Sequence, residues 1–371
     1  MLNIEQVHTK SQRQEFVAVA RAVYSPDSPW IRPLDGILLG YLNPRRNPFY
    51  RAGIGRAFLV KRGSRSVGRI LAHVWHRHRR LHRERAGYFG FFECEYDREA
   101  VTALFEAAAG FARSEGCDLL RGPFNMTAAQ EMGIVTHGFD VAPAIDTVYT
   151  PPWYPPLLEC AGFHICLKMQ TWRNDDITAL DSDSLLPQRH SELQSTYRVR
   201  IRPLDRGHIS SDLEQVREII NAAFLGNWSF VPITREEWKL QVGQLVPLLD
   251  PELIQIAEID GVPVGVTFAI PDFNLILRRM NGSLLHPRVF SLLRKPPTDA
   301  AIIILFAVRK QLQGLGINRL LNAELLRALK HRGYHSLAGT WNSSENAASR
   351  ASAVALGMHP LHDLAMYERL L

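Results

Sequence analysis

The chain has 371 residues, 46% hydrophobic and 22% charged, with a formal net charge of +6. That balance excludes a disordered chain, and no apolar run reaches the ~20 residues of a membrane span. Met1 to Val7 show no basic stretch followed by an apolar one, so no secretory leader is expected.

The elements fall in a repeated order. A strand at 2–7 leads to a helix at 11–23, with Ser11 and Gln14 at capping-box spacing. Pro and Asn make 26–50 a loop with room for one short helix. Strands follow at 56–61, 67–75 and 86–95, then a helix at 99–115 whose Val101, Leu104, Phe105, Ala108 and Phe111 share one face. A strand at 118–121, an irregular Pro-rich segment, a helix at 156–161 and a strand at 163–172 close the first half. The second half repeats the plan. It has a strand at 197–204, helices at 211–224 and 234–249, and strands at 253–259 and 262–270 around Asp260-Gly261, a hairpin turn signal. After an insertion come a strand at 300–308, a helix at 317–332, a strand at 335–341, a short helix ending near Gly357 and a closing strand at 363–370. The expectation is an α/β fold with mixed sheets in two tandem domains, 1–174 and 196–371, joined by a linker at 175–195.

Gln311-Leu312-Gln313-Gly314-Leu315-Gly316 lies between the apolar strand Ala300 to Val308 and the helix that begins at Ile317. Strand, glycine loop and helix start form an anion site from backbone N–H groups, and the glycines let a phosphate approach. The spacing is neither the dinucleotide fingerprint nor the P-loop. It resembles the acyl-CoA pyrophosphate loop of the GNAT superfamily of N-acetyltransferases. Asn346 and Leu356-Gly357-Met358 take the places of that family's later Asn and Leu-Gly-Phe. The family often places a Tyr seven residues after that Asn, as general acid; here the position is Ala353. The first half has no such loop after Glu95, so the resemblance implies a degenerate first domain and acyl-CoA binding in the second.

Asn47-Pro48-Phe49, Gly90-Phe91-Phe92-Glu93, Arg121-Gly122-Pro123-Phe124-Asn125, Gly138-Phe139-Asp140, Pro151-Pro152-Trp153-Tyr154-Pro155, Asn227-Trp228-Ser229-Phe230-Val231-Pro232 and Pro271-Asp272-Phe273-Asn274 together resemble a bacterial tandem GNAT family. Some of its members are similar to bacterial ceramide synthases, which acylate the amine of a sphingoid base from a CoA-type thioester. The resemblance implies acyl transfer to nitrogen, with acetyl-CoA or a longer acyl-CoA as co-substrate. The insertion 274–295 mixes Leu, Ile, Phe and Met with four Arg and a Lys. It suits a helix at a membrane surface, a lid over an acyl channel, or a helix pair packed on the core.

Transfer of an acyl group to an amine requires a neutral nitrogen, a polarised carbonyl and a leaving thiolate. The resemblance places the carbonyl at backbone N–H groups of Phe306, Ala307 and Val308. It places the pyrophosphate at Gln311, Gln313, Gly314, Leu315, Gly316, Ile317 and Asn318, with Asn346 nearby and Arg309 or Arg319 adding charge. The strand offers no base, so candidates come from Asp272, Asn274, Glu131 and His137, with Asp140 and Asp146 in the same loops. Asn125, Asn227 and Trp228 are candidates for the acceptor site.

Residues 43–85 hold thirteen Lys and Arg against the single acid Glu84. The densest part, 76–85, reads as a solvated hairpin tip or as an attraction for anionic lipid or cofactor. No RNA-binding motif accompanies it, so nucleic acid is not expected. Cys94, Cys117, Cys160 and Cys166 show no metal-ligand spacing, so no metal is expected, and they fit a reducing cytoplasm, peripherally on the inner membrane where a lipid is the substrate. Three alternatives stay open: an acetyltransferase of a small amine, a transferase using aminoacyl-tRNA, and a non-catalytic binder of CoA or lipid.

Overall fold

The computed structural model describes residues 1–127, 131–188, 190–243, 245–283 and 298–371. Its strands are β1 (Leu2–Gln6), β2 (Gly53–Arg62), β3 (Arg65–Trp75), β4 (Ala86–Cys94), β5 (Leu119–Gly122), β6 (Ile134–His137), β7 (His164–Asn174), β8 (Val199–Pro203), β9 (Ile254–Ile259), β10 (Val262–Pro271), β11 (Ala300–Val308), β12 (Ser336–Ser343) and β13 (His359–Leu370).

One mixed sheet holds them in the order β1-β2-β3-β4-β5-β13-β7-β12-β11-β10-β9-β8, with β6 paired to β13. The order mirrors itself about its centre: β4–β5 and β11–β12 are parallel pairs, and the others along that path are antiparallel. At the centre the halves exchange their last strands. β13 lies against β5, with Tyr367 opposite Gly122, while β7 lies against β12, with Trp172 opposite Gly339. The two exchanged strands also pair with each other from His359–Arg173 to Glu368–His164. Neither half therefore completes its backbone hydrogen bonding alone.

Local chemistry explains the elements. Asp97 accepts the amide of Ala100 at 3.1 Å and starts the helix Arg98–Ser114, which buries Leu104, Phe105, Ala108 and Phe111. Each large side chain so buried contributes roughly 2 kcal/mol. The helix Ile317–His331 likewise buries Leu320, Leu321, Leu325 and Leu329. Asp260 and Gly261 both have positive φ, 49° and 78°, as a two-residue hairpin turn demands.

Several boundaries differ from the sequence expectation. The first helix begins at Lys10, because Thr9 rather than Ser11 caps it: Thr9 Oγ1 accepts the amide of Gln12 at 3.1 Å. The expected helix 234–249 ends at Val242, just before Gly243 and Pro247. Residues 76–82 form a helix at the seam between the halves rather than a free hairpin tip. Arg77 pairs with Glu237 there, and His82 Nε2 lies 2.8 Å from Phe230 O. The linker region packs down on the helix 317–331: Arg319 donates to Leu185 O and Lys330 to Leu180 O. Of the insertion 274–295, read as a lid, a membrane-surface helix or a packed helix pair, Asn274–Met280 is helical and the part from 284 lies outside the described residues.

Candidate active site

β11 and β12 pair only from Ala300–Ser336 to Ile303–Gly339 and then diverge. The opening faces the last residues of β11. A register shift between Phe268 and Ala269 makes Ile304 the extra residue opposite β10. Ile304 O then accepts from Thr340 Oγ1 at 2.9 Å, and Val308 O accepts from Gln313 Nε2 at 2.9 Å, so both carbonyls point away from β10. The two-residue alternation of a strand sends the N–H and C=O of Phe306 the same way, into the opening.

After β11 the chain turns through Lys310–Leu312 into the glycine loop. Gly314 and Gly316 have φ of 82° and 98°, a region that costs other residues about 1–2 kcal/mol. Gln313 N–H is taken by Lys310 O at 3.3 Å. The amides of Gly314, Leu315, Gly316, Ile317 and Asn318 donate to no group among the described residues. They sit at the positive end of the helix 317–331, where an anion is favoured. The arginines proposed to add charge are occupied. Arg309 Nε donates to Pro263 O at 3.1 Å, and Arg319 Nε to Leu185 O at 2.9 Å. Asn318 donates to Ser352 Oγ at 2.8 Å. Asn346 caps the helix Ala347–Ala355 by accepting the amide of Ser349.

The corresponding opening between β4 and β5 is stitched shut. Those strands pair only from Ala86–Leu119 to Tyr88–Arg121, but the chain after β5 fills the gap. Phe124 N–H donates to Phe89 O at 2.7 Å, and Asn125 Oδ1 accepts from Phe91 N–H at 2.7 Å. Gly90 is required there, because a Cβ would lie 2.4 Å from Phe124 O.

A cavity of about 1380 Å³ runs from the β11–β12 opening across the seam into the first half. Drug-sized ligands occupy about 300–1,000 Å³. Ile303 to Phe306 and Gly339 to Asn346 form one end; Trp30, Leu38, Trp75, Phe91 and Val148 are among the apolar walls of the other.

Residues 213–358 match the family model described as Acetyltransferase (GNAT) family. The chain is 28% identical over 369 residues to Protein YghO of Escherichia coli (strain K12), covering 97% of this chain and 93% of that one. It is 27% identical over 378 residues to the Bacterial ceramide synthase of Caulobacter vibrioides, covering 100% and 98%. A tandem GNAT protein from the clavulanic acid biosynthesis pathway superposes with a TM-score of 0.58 at 14% identity, covering 100% of this chain and 98% of that chain. A GCN5-related N-acetyltransferase from Sphaerobacter thermophilus gives 0.53 at 13% identity, covering 100% and 95%.

The fold is a tandem GNAT fold. Its second half carries the stretch that matches the GNAT acetyltransferase model, and that fold implies acyl-CoA or acetyl-CoA as co-substrate.

Within the tandem GNAT the cavity brings together Phe306, Asn346, Asn125, Glu131, Asn227, Trp228 and Asn274 among the expected residues, with Asp146. It does not reach the glycine loop, which lies at the surface beside its mouth strand, nor Ala307, Val308, Asp272 or His137. His137 is exposed on β6, and Asp140 is exposed in the loop after it. Asp272 is a turn residue: it accepts the amide of Asn274 at 2.9 Å, and burial raises its pKa. Asn274 donates to Pro143 O at 2.7 Å and so ties the end of β10 to a loop of the first half.

Four carboxylates line the cavity from the first half: Asp35, which pairs with Arg32, and Glu93, Glu131 and Asp146. Glu131 and Asp146 both line the cavity with exposed side chains, surrounded at longer range by protein. This desolvation raises both pKa values to about 7, and Asp146 and Glu93 raise Glu131 further. Glu93 is also raised, chiefly by burial, although Arg69 opposes the shift from 3.6 Å and Tyr154 donates to it at 2.7 Å. Glu93 and Arg69 were not singled out from the sequence as site residues. The available signal was a carboxylate ending the otherwise apolar run Tyr88 to Phe92.

Proposed function

We propose that the chain is an acyl-CoA-dependent N-acyltransferase that moves a long acyl group to the amine of a long-chain base, in the manner implied by the name of the ceramide synthase relative. The observation that carries this reading is the cavity: an apolar space of about 1380 Å³ joined to the β11–β12 opening. Acetyl transfer to a small amine needs no such volume. The free amides of 314–318 would hold the pyrophosphate, and the N–H of Phe306 would polarise the thioester carbonyl. The nitrogen would arrive from the first-half end of the cavity.

A lipid amine must be drawn from a bilayer. Supporting that step, Trp228 and Leu225 are 44% and 47% exposed, and Trp228 lines the cavity. The neighbouring helix His76–His82 presents Leu81, 46% exposed, between Arg80 and Arg83. Such a surface fits a peripheral association with anionic lipid. No helix among the described residues is long and apolar enough to cross a membrane. Thermal shift with CoA thioesters of increasing chain length tests the reading. Stabilisation should grow from acetyl-CoA to palmitoyl-CoA, and equal shifts for both would refute the long-chain assignment.

A further inference from the structure

Two carboxylates contributed by the first half, Glu131 and Asp146, face the cavity shared with the β11–β12 opening and form no salt bridge among the described residues, Arg69 pairing with Glu93 instead. We infer that this pair is the acid–base centre that seats the acceptor as an ammonium ion and takes its proton. The inference rests on the acyltransfer reading above.

The geometry on each side is fixed. Ala144 belongs to the apolar cluster of Phe268, Ile270 and Ile302, against which Ile145, Ile304 and Leu305 pack. Pro143 is held by Asn274. Asp146, which follows Ile145, takes a left-handed φ of 61° and lines the cavity. Asn125 holds Glu131 twice: its amide donates to Glu131 O at 3.1 Å, and its Nδ2 lies 3.5 Å from Glu131 Oε2. Asn125 is itself fixed by Phe91 N–H. Beside them Arg69, 4% exposed on the same wall, leaves its Nε without an acceptor. Arg69 faces Glu93 at 3.6 Å. The other charged groups on the wall are Arg32 with Asp35, Glu237 with Arg77, Lys168 and Glu345.

Carboxylates that line a cavity without an ion pair of their own favour a cationic head group, which supplies that partner. The ammonium gives one proton to the pair. The free nitrogen attacks the thioester carbonyl carbon, and the carbon–sulfur bond breaks. The remaining excess proton on nitrogen goes to the departing sulfur, giving amide and CoA thiol, and the pair returns its proton to water.

The test uses the full chain with palmitoyl-CoA as donor and sphinganine, octadecylamine and ethanolamine as acceptors. It compares the wild type with Glu131→Gln, Asp146→Asn and the double variant. The wild-type kcat/KM should rise with pH through about 7. Each variant should lower kcat at least about 100-fold and flatten that rise, with palmitoyl-CoA affinity retained and melting temperature not lowered. Variants within threefold of wild type, with the same pH profile, would overturn the assignment while leaving the acyltransfer reading intact. Transfer to ethanolamine alone would refute the long-chain acceptor, and the same variants would then decide the acid–base assignment with ethanolamine. Binding of palmitoyl-CoA with transfer to no amine would overturn both.

Discussion

Arg77 of the first half grips Glu237 of the second through Nη1, 3.0 Å from Oε1 and 2.9 Å from Oε2. Glu237 also accepts the amide of Thr234 at 2.8 Å in a capping box, so one carboxylate starts a helix and closes the seam. Its side chain is 8% exposed. Arg77→Met keeps the bulk and strands the carboxylate, so it should destabilise the chain by about 3 kcal/mol. Chemical denaturation of the variant and wild type checks this.

Strand exchange makes a stronger demand. β5 lies between β4 and β13, and β12 between β11 and β7. Deleting 359–371 should therefore unfold the first half as well as the second, although every residue of 1–174 is kept. Hydrogen exchange on the truncated chain should show loss of protection in β4 and β5. Retained protection there would mean that the first half is an independent unit.

The two loop glycines should behave differently. A side chain at Gly314 meets nothing within 4 Å, whereas a Cβ at Gly316 would lie 2.9 Å from Pro187. Gly314→Glu should cost about 1 kcal/mol through its positive φ and weaken CoA binding on the order of 100-fold by placing a carboxylate at the amides. Gly316→Glu should also dislodge the linker and lower the melting temperature clearly more. Calorimetric titration with CoA, beside thermal melts, separates the effects.

Two groups of titrating residues pull stability in opposite directions. Burial lowers the pKa of His73 and of His78 to about 4, and His82 lowers His78 further. Unfolding lets them take up protons below their ordinary value of about 6.5. Their stabilising effect is thus complete above that value and is lost as pH falls toward 4. Glu131 and Asp146 are raised to about 7, so their contribution is complete below about 4 and is lost as pH rises through 7. The double variant Glu131→Gln with Asp146→Asn should melt higher than wild type at pH 8, with the difference vanishing near pH 4. His78→Asn should lessen the decline in melting temperature between pH 6.5 and 4.5.

The strand and helix periodicities, the Asp260-Gly261 turn and the glycine loop were legible because each is a local property of consecutive residues. The repeated element order also carried the tandem plan. Strand exchange was not legible: β7 and β13 look like ordinary closing strands, and only tertiary pairing decides which half each completes. The basic run 76–85 read as a solvated tip because its partners, Glu237, Glu115 O and Phe230 O, are distant in sequence or belong to backbone. Glu131 and Asp146 were candidates among several loop acids. Their place on one cavity wall depends on tertiary packing that no local pattern predicts, and the same is true of Glu93 beside Arg69.

Side-chain volume at the opening offers a further check on the substrate. Leu305 lines the cavity at the end of β11. Leu305→Trp should lower kcat/KM for palmitoyl-CoA by about tenfold or more while leaving that for acetyl-CoA within about threefold. Steady-state rates with both donors decide it.

The most direct measurement is the mass-spectrometric detection of product from purified full-length chain, palmitoyl-CoA and sphinganine. The account predicts N-palmitoyl sphinganine and free CoA in equal amounts, formed faster than N-acetyl product from acetyl-CoA. Exclusive acetyl transfer, or CoA release without an amide, would contradict it.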